Sequence, residues 1–306
     1  VTLYSATKGQ TAVFQGYYKR QLVYFAVGLV LGGCIIFIDF QILEKLSYVS
    51  YAGCMILLIL VSLIGHVGKG SERWINIGSF YLQPSEFAKI AILFTLAKYF
   101  CDEKMGGPYS LKRLTVPGLL VLPYFILILR QPDMGTAGIL FLTSASLILF
   151  LRVDMRAVII VLVVTSVVVP IAYQKVLRDY QRHRVQTFLD PGQDPQGKGY
   201  NALQCRIAVG SGQAFGKGYL KGTQAQLNFI PEQHTDFIFS VFAEEWGFAG
   251  TLVLLIAYFS YLMFALRAMM RARGKFETLL AFGLTALMFW HVFINIEMVT
   301  GILPIV

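Results

Sequence analysis

The sequence predicts an all-α, polytopic helical membrane protein, and three observations carry that prediction. Hydrophobic residues make up 56% of the 306 and charged residues only 14%, against a globular norm of about 25% charged. Mean hydropathy is +0.63. The apolar residues fall in runs of about 20, the length a helix needs to cross hydrocarbon. A soluble chain of this size cannot bury so much apolar surface, so soluble enzymes, disordered tails and disulfide scaffolds are excluded.

The runs place about eight spans, near 22–38, 47–66, 86–101, 115–130, 135–151, 157–175, 248–266 and 279–297. The first two rest on apolar length, with Lys45 in their connection. The third begins at a proline and an acid and ends before Lys104; the fourth follows Lys112 and Arg113 and ends at Arg130. The fifth again begins after a proline and an acid, and Arg152 and Arg156 separate it from the sixth. The last pair flanks Arg267, Arg271, Arg273 and Lys275. Basic residues in short loops mark the cytoplasmic side. That face collects more of them than its opposite, so the long segment 176–234 is expected outside. The whole chain, 1–306, reads as one transmembrane domain. It opens on Val1 and closes at Gly301-Ile-Leu-Pro-Ile-Val306, which suggests a chain trimmed of terminal spans.

The net charge of +9 fits cytoplasmic loops and anionic lipid headgroups. No basic run is interleaved with aromatics, so no nucleic-acid partner is expected. Cys34, Cys54, Cys101 and Cys205 form no CxxC pair, and His66, His183, His234 and His291 are scattered. Neither a zinc site nor a disulfide is implied.

Three helix entries share one face by parity, since one span separates each from the next. They read Gln83-Pro-Ser-Glu86-Phe-Ala-Lys89, Arg130-Gln-Pro-Asp133-Met-Gly-Thr136 and Pro231-Glu-Gln-His234-Thr235-Asp236. Each acid alone suits a first helical turn, where it complements the helix dipole, and Glu86 with Lys89 is an ordinary i,i+3 pair. Three together at the hydrocarbon edge point to function, because acids there are expensive. Arg73, Lys89, Arg130, Lys217 and Lys221 supply cations on the same face. Arg73 suits bidentate phosphate contact, or else snorkels beside Trp74.

Beyond Asp236, Phe237-Ile-Phe-Ser-Val-Phe-Ala-Glu244-Glu245-Trp-Gly247 is apolar with two acids, and Gly247 and Gly250 are placed to kink it away from the next span. Within the long loop a short helix is expected from Asn201 to about Val209. The GKGY tetrapeptide occurs at 197–200 and 216–219. These glycines are either plain turns or a backbone that closely approaches a ligand phosphate, with Lys217 beside it. Ser211 and Gly218 stand where a Walker loop needs glycine and Ser/Thr.

Glu72-Arg-Trp, Gln83-Pro-Ser-Glu86-Phe-Ala-Lys89, Gln131-Pro-Asp-Met-Gly-Thr-Ala137 and Gly222-Thr-Gln…Pro231-Glu-Gln-His-Thr-Asp-Phe-Ile-Phe239 resemble the SEDS family (shape, elongation, division and sporulation). Glu232-Gln-His and Ala243-Glu-Glu-Trp-Gly resemble its RodA branch more than its FtsW branch. The resemblance runs along the whole chain. It implies ten membrane helices with a large extracytoplasmic loop, of which this chain lacks the first and last. Cys205 departs from the family's usual serine.

The resemblance also implies a peptidoglycan glycosyltransferase, which polymerises lipid II at the outer face of the bacterial cytoplasmic membrane during elongation. Its implied partner is a class B penicillin-binding protein. Asp236 would be the catalytic carboxylate, as general base or as ligand of a divalent cation, Mg or Mn. Arg73, Glu86, Lys89, Asp133, Lys217, His234 and Thr235 would bind substrate or support the cavity. A lipid II flippase and a scaffold of the elongation machinery stand as alternatives.

Overall fold

The computed structural model describes residues 2–8, 16–64, 66–68, 71–77, 80–103, 107–175, 182, 186–187, 198–227, 229–230 and 233–304. A short α1 (Thr2–Lys8) precedes α2 (Tyr17–Ile36) and α3 (Phe40–Ile64). Then come α4 (Pro84–Asp102), α5 (Leu111–Arg130), α6 (Met134–Phe150) and α7 (Met155–Lys175). The loop helices are α8 (Lys198–Ser211) and α9 (Thr223–Gln226), followed by α10 (Ile238–Arg271) and α11 (Lys275–Thr300).

Every predicted span coincides with a helix. Five of them, α2, α3, α5, α10 and α11, are long and apolar enough to cross a membrane, and α4, α6 and α7 fill the other three positions. The main shift is at α3, which starts at Phe40 rather than near 47. Its polar first turns are held by partners: Glu44 accepts from Lys98 of α4 at 2.9 Å. Large apolar side chains on α2 and α7 point outward, and α2 buries none of its residues, as lipid-facing helices do. The predicted loop helix is present as α8.

One stretch departs from the all-helical expectation. β1 (His66–Gly68), β2 (Ser71–Ile77) and β3 (Phe80–Leu82) form an antiparallel meander, with His66 opposite Trp74 and Ile75 opposite Leu82. This connection has no helical period. Its backbone donors and acceptors find partners across strands instead.

The described residues divide into two compact units, 1–37 with 171–261 and 292–306, and 38–170 with 262–291. The second has a core of Leu58, Ile92, Leu96, Phe100, Tyr124 and Leu140. Buried hydroxyls join α3 to α5: Tyr51 donates to the Leu120 carbonyl at 2.9 Å, and Tyr124 donates to the Tyr51 carbonyl at 2.6 Å. Such bonds tie helices together where lipid offers no hydrophobic drive. A Cβ on Gly283 would lie 2.8 Å from Leu93, so a small residue lets α11 approach α4. The first unit centres on Cys205, Ala208, Ile230, Phe237, Phe239 and Val299.

Candidate active site

Two of the three acidic entries meet within one unit. Pro84 occupies the first turn of α4, and Gln83 before it is extended. That conformation directs the Gln83 amide to Asp133 Oδ2 at 3.0 Å. Asp133 caps α6, its Oδ1 accepting from Thr136 N at 3.2 Å. The helix starts predicted to share a face by parity are therefore joined. Asp133 is buried, and its carboxylate is held by these bonds.

Lys89 is almost fully buried, at 2% exposure. It donates to Glu86 Oε1 at 2.9 Å and lies 2.9 Å from His291 Nε2. The Glu86 side chain remains half exposed. Arg73 falls within β2, and its side chain lies outside the described residues.

Asp236 belongs to the other unit. It sits on the turn 233–237 that leads into α10. That turn is fastened from several sides. Gln233 is buried and donates to the Ala6 and Ala225 carbonyls at 3.0 and 3.1 Å. The His234 ring stacks on Tyr17, with centroids 4.9 Å apart and 12° between planes. Phe237 anchors in the core, and Asn295 donates to the Asp236 carbonyl at 3.3 Å. Thr235 and the Asp236 carboxylate are left exposed. Among the described residues no side chain hydrogen-bonds that carboxylate. A fixed backbone thus presents one accessible carboxylate.

The helix that Asp236 heads is broken. Gly247 has φ 63° and ψ −163°, so the predicted kink is a discontinuity. A break frees backbone groups that need partners, and the glycine-rich segment supplies them. Lys217 N and Gly218 N donate to the Glu244 and Glu245 carbonyls, both at 3.0 Å, and Phe248 N and Ala249 N donate to the Gln213 and Ala214 carbonyls at 2.8 and 2.9 Å. A Cβ on Gly216 would meet the Glu245 carbonyl oxygen at 2.1 Å, and one on Gly212 would meet that of Ala243 at the same distance. The glycines do permit a close backbone approach. What they approach is the broken helix, in place of a ligand phosphate.

Side chains complete this clasp. Glu244 is fully buried and accepts from Lys217 Nζ at 2.7 Å, Gln224 N at 3.0 Å, Thr223 Oγ1 at 3.2 Å and Ala225 N at 3.3 Å. It caps α9 from another element, and Lys217 is engaged in that fastening. Glu245, also buried, accepts from Ser5 Oγ and from Leu220 N. Both acids therefore tie α10 to short helices outside the spans, Glu244 to α9 and Glu245 to α1.

His291, Gln83, Gln233 and Tyr17 were not among the predicted site residues. The signal for His291 was present, since a histidine inside an apolar span is a functional candidate by default. The contacts of Gln233 with Ala6 and of Tyr17 with His234 join segments distant in sequence. Among the described residues no cluster of three or more His, Cys, Asp or Glu side chains forms a metal cage.

Helical spans, a loop clasping a broken helix and an exposed aspartate at its head define a polytopic helical membrane protein with a polar site. The chain belongs to the FtsW–RodA–SpoVE family, described as cell cycle protein, whose model matches residues 1–306. It is 40% identical over 292 residues to the peptidoglycan glycosyltransferase MrdB of Escherichia coli, covering 95% of this chain and 78% of that protein. It is 30% identical to the peptidoglycan glycosyltransferase RodA of Treponema pallidum, covering 98% of this chain and 86% of that protein. A solved chain described as "Structural coordination of polymerization and crosslinking by a peptidoglycan synthase complex" superposes with a TM-score of 0.81 at 28% identity, over 99% of this chain and 87% of its own. The crystal structure of an Asp-to-Ala variant of Thermus thermophilus RodA gives a TM-score of 0.70 at 25% identity, over 99% of this chain and 81% of that one.

Proposed function

We propose that this chain is a peptidoglycan glycosyltransferase that polymerises lipid II into glycan strands at the outer face of the bacterial cytoplasmic membrane. The reading places it in cell elongation, with Asp236 as catalytic carboxylate. The observation that carries it is the exposed Asp236 carboxylate on a backbone turn fastened by Gln233, His234 and Phe237. Relatives 30 and 40% identical over most of the chain carry the name peptidoglycan glycosyltransferase.

The chemistry suits one carboxylate. A sugar hydroxyl attacks the anomeric carbon of a second sugar, and a new C–O bond forms as the bond to the isoprenoid pyrophosphate breaks. The hydroxyl proton passes to Asp236. Pyrophosphate leaves readily, so no general acid is needed, and inversion needs no carboxylate nucleophile. Negative charge grows on the leaving group and calls for fixed cations. The family resemblance gives that role to Arg73 and Lys89; Lys89, buried and held by Glu86, would act as a fixed charge without touching the leaving group. Asp133 and Lys217 support the site by fastening helix starts and loop, while His234 and Thr235 flank the carboxylate and contact substrate. Asp236 is also the residue that would hold a divalent cation, Mg or Mn, which binds through one or two carboxylates plus substrate phosphates and would supply charge neutralisation.

A class B penicillin-binding protein is the proposed partner, and the similar fold of a chain from a peptidoglycan synthase complex supports this. A flippase would use the discontinuous α10 as a substrate site. Against that, the backbone groups freed at Gly247 are taken by residues 213–218. The test is strand synthesis from purified lipid II, with and without the transpeptidase. Asp236→Asn is expected to lose about 10²–10⁴ in rate, the worth of a general base, with its helical content intact. Strands made at the parent rate would overturn the assignment.

A further inference from the structure

We propose that His291 is a positioning residue: its neutral imidazole holds the Lys89 ammonium in place, and protonation of the ring releases it. The inference rests on the glycosyltransferase reading for the role of Lys89, and on geometry for the contact itself. Lys89 Nζ stands 2.9 Å from both His291 Nε2 and Glu86 Oε1. An ammonium has only donors, so Nε2 must carry the lone pair and the ring proton must sit on Nδ1. An imidazolium has no acceptor. It would also set two cations at hydrogen-bond distance.

The ring is aimed at α4 by its own helix. The neighbouring Trp290 indole donates to Ser146 Oγ at 2.9 Å, which fixes the rotation of α11. Gly283, two turns earlier on the same face, packs closely against Leu93 of α4. Among the described residues, Glu86 and Lys89, both on α4, are the charged groups that act on His291. Lys89 has lost almost all contact with water, so the imidazole supplies a bond that solvent cannot. Because the bond needs the neutral ring, protonation of His291 in acid would break it and free Lys89.

The test uses the full chain labelled with ¹⁵N-histidine, with resonances assigned through His291→Gln. The parent should show the Nδ1–H tautomer at His291, and Lys89→Met should move the ring toward the Nε2–H form that free imidazole prefers. An unchanged tautomer would overturn the contact. The other histidine resonances report whether each variant is folded. Strand synthesis is then followed against pH. A step in the parent should share its midpoint with the His291 ring titration, and the step should vanish in His291→Gln, whose amide oxygen accepts at any pH. At neutral pH the Gln variant should stay within about threefold of the parent while His291→Leu loses at least about tenfold, or about 1.4 kcal/mol of barrier. Equal loss in the two variants, or the same step surviving in His291→Gln, would overturn the positioning role. A parent that makes no strands at any pH, yet shows the coupled tautomer, would defeat the glycosyltransferase reading and leave the contact standing.

Discussion

Single side chains in this protein divide by whether their charge is satisfied internally. The Asp133 carboxylate is buried and shared between a helix cap and Gln83, so its contribution is structural whatever else it does. Asp133→Ala should cost about 1–2 kcal/mol, the upper part of the range for a lost cap, read as a lowered unfolding midpoint in detergent. Lys217 and Glu244 form a pair with one partner at 0% exposure and the other at 27%. Lys217→Met leaves a buried carboxylate short of one donor. The cost should lie near the low end of the roughly 3–5 kcal/mol seen when a buried pair is broken, because Gln224, Thr223 and Ala225 still donate. Thermal unfolding of the purified variant checks this. Asp236 differs from both, being exposed on a fixed backbone, the arrangement expected of a carboxylate that works on a substrate.

At the scale of elements, the break in α10 and the segment 212–218 form one device. A helix interrupted at Gly247 exposes carbonyls and N–H groups, and the glycine-rich segment pairs with them only because it has no side chains in the way. Gly216 has φ +77° and Gly247 φ +63°, a region other residues rarely adopt. A methyl group at either position would lie 2.1–2.2 Å from backbone atoms. Gly216→Ala and Gly247→Ala should therefore each destabilise by at least about 3 kcal/mol, seen as loss of monodisperse protein. Gly32→Ala on α2, where a Cβ meets nothing within 4 Å, should stay within about 0.5 kcal/mol of the parent. The kink itself was legible from Gly247 beside an apolar half-helix. Its partner was not, since 30 residues of sequence intervene and no local pattern records which backbone groups a loop will satisfy.

For the whole molecule, sidedness is the property to test. In a background with Cys34, Cys54, Cys101 and Cys205 replaced, Thr235→Cys should react with a membrane-impermeant maleimide on intact cells. Lys112→Cys should react only after permeabilisation. The opposite pattern would place the proposed chemistry on the wrong side for extracellular strands. Span positions were determined by the sequence alone, because apolar length against bilayer thickness is a one-dimensional constraint. Parity likewise brought the starts of α4 and α6 together, and the Gln83–Asp133 bond follows from it. Only the tertiary structure decided which polar groups are spent on holding the fold and which remain available. Lys217 and Glu244 look as functional in sequence as Asp236 does. Burial and hydrogen-bond partners, which are three-dimensional quantities, separate a fastened charge from one open to a substrate.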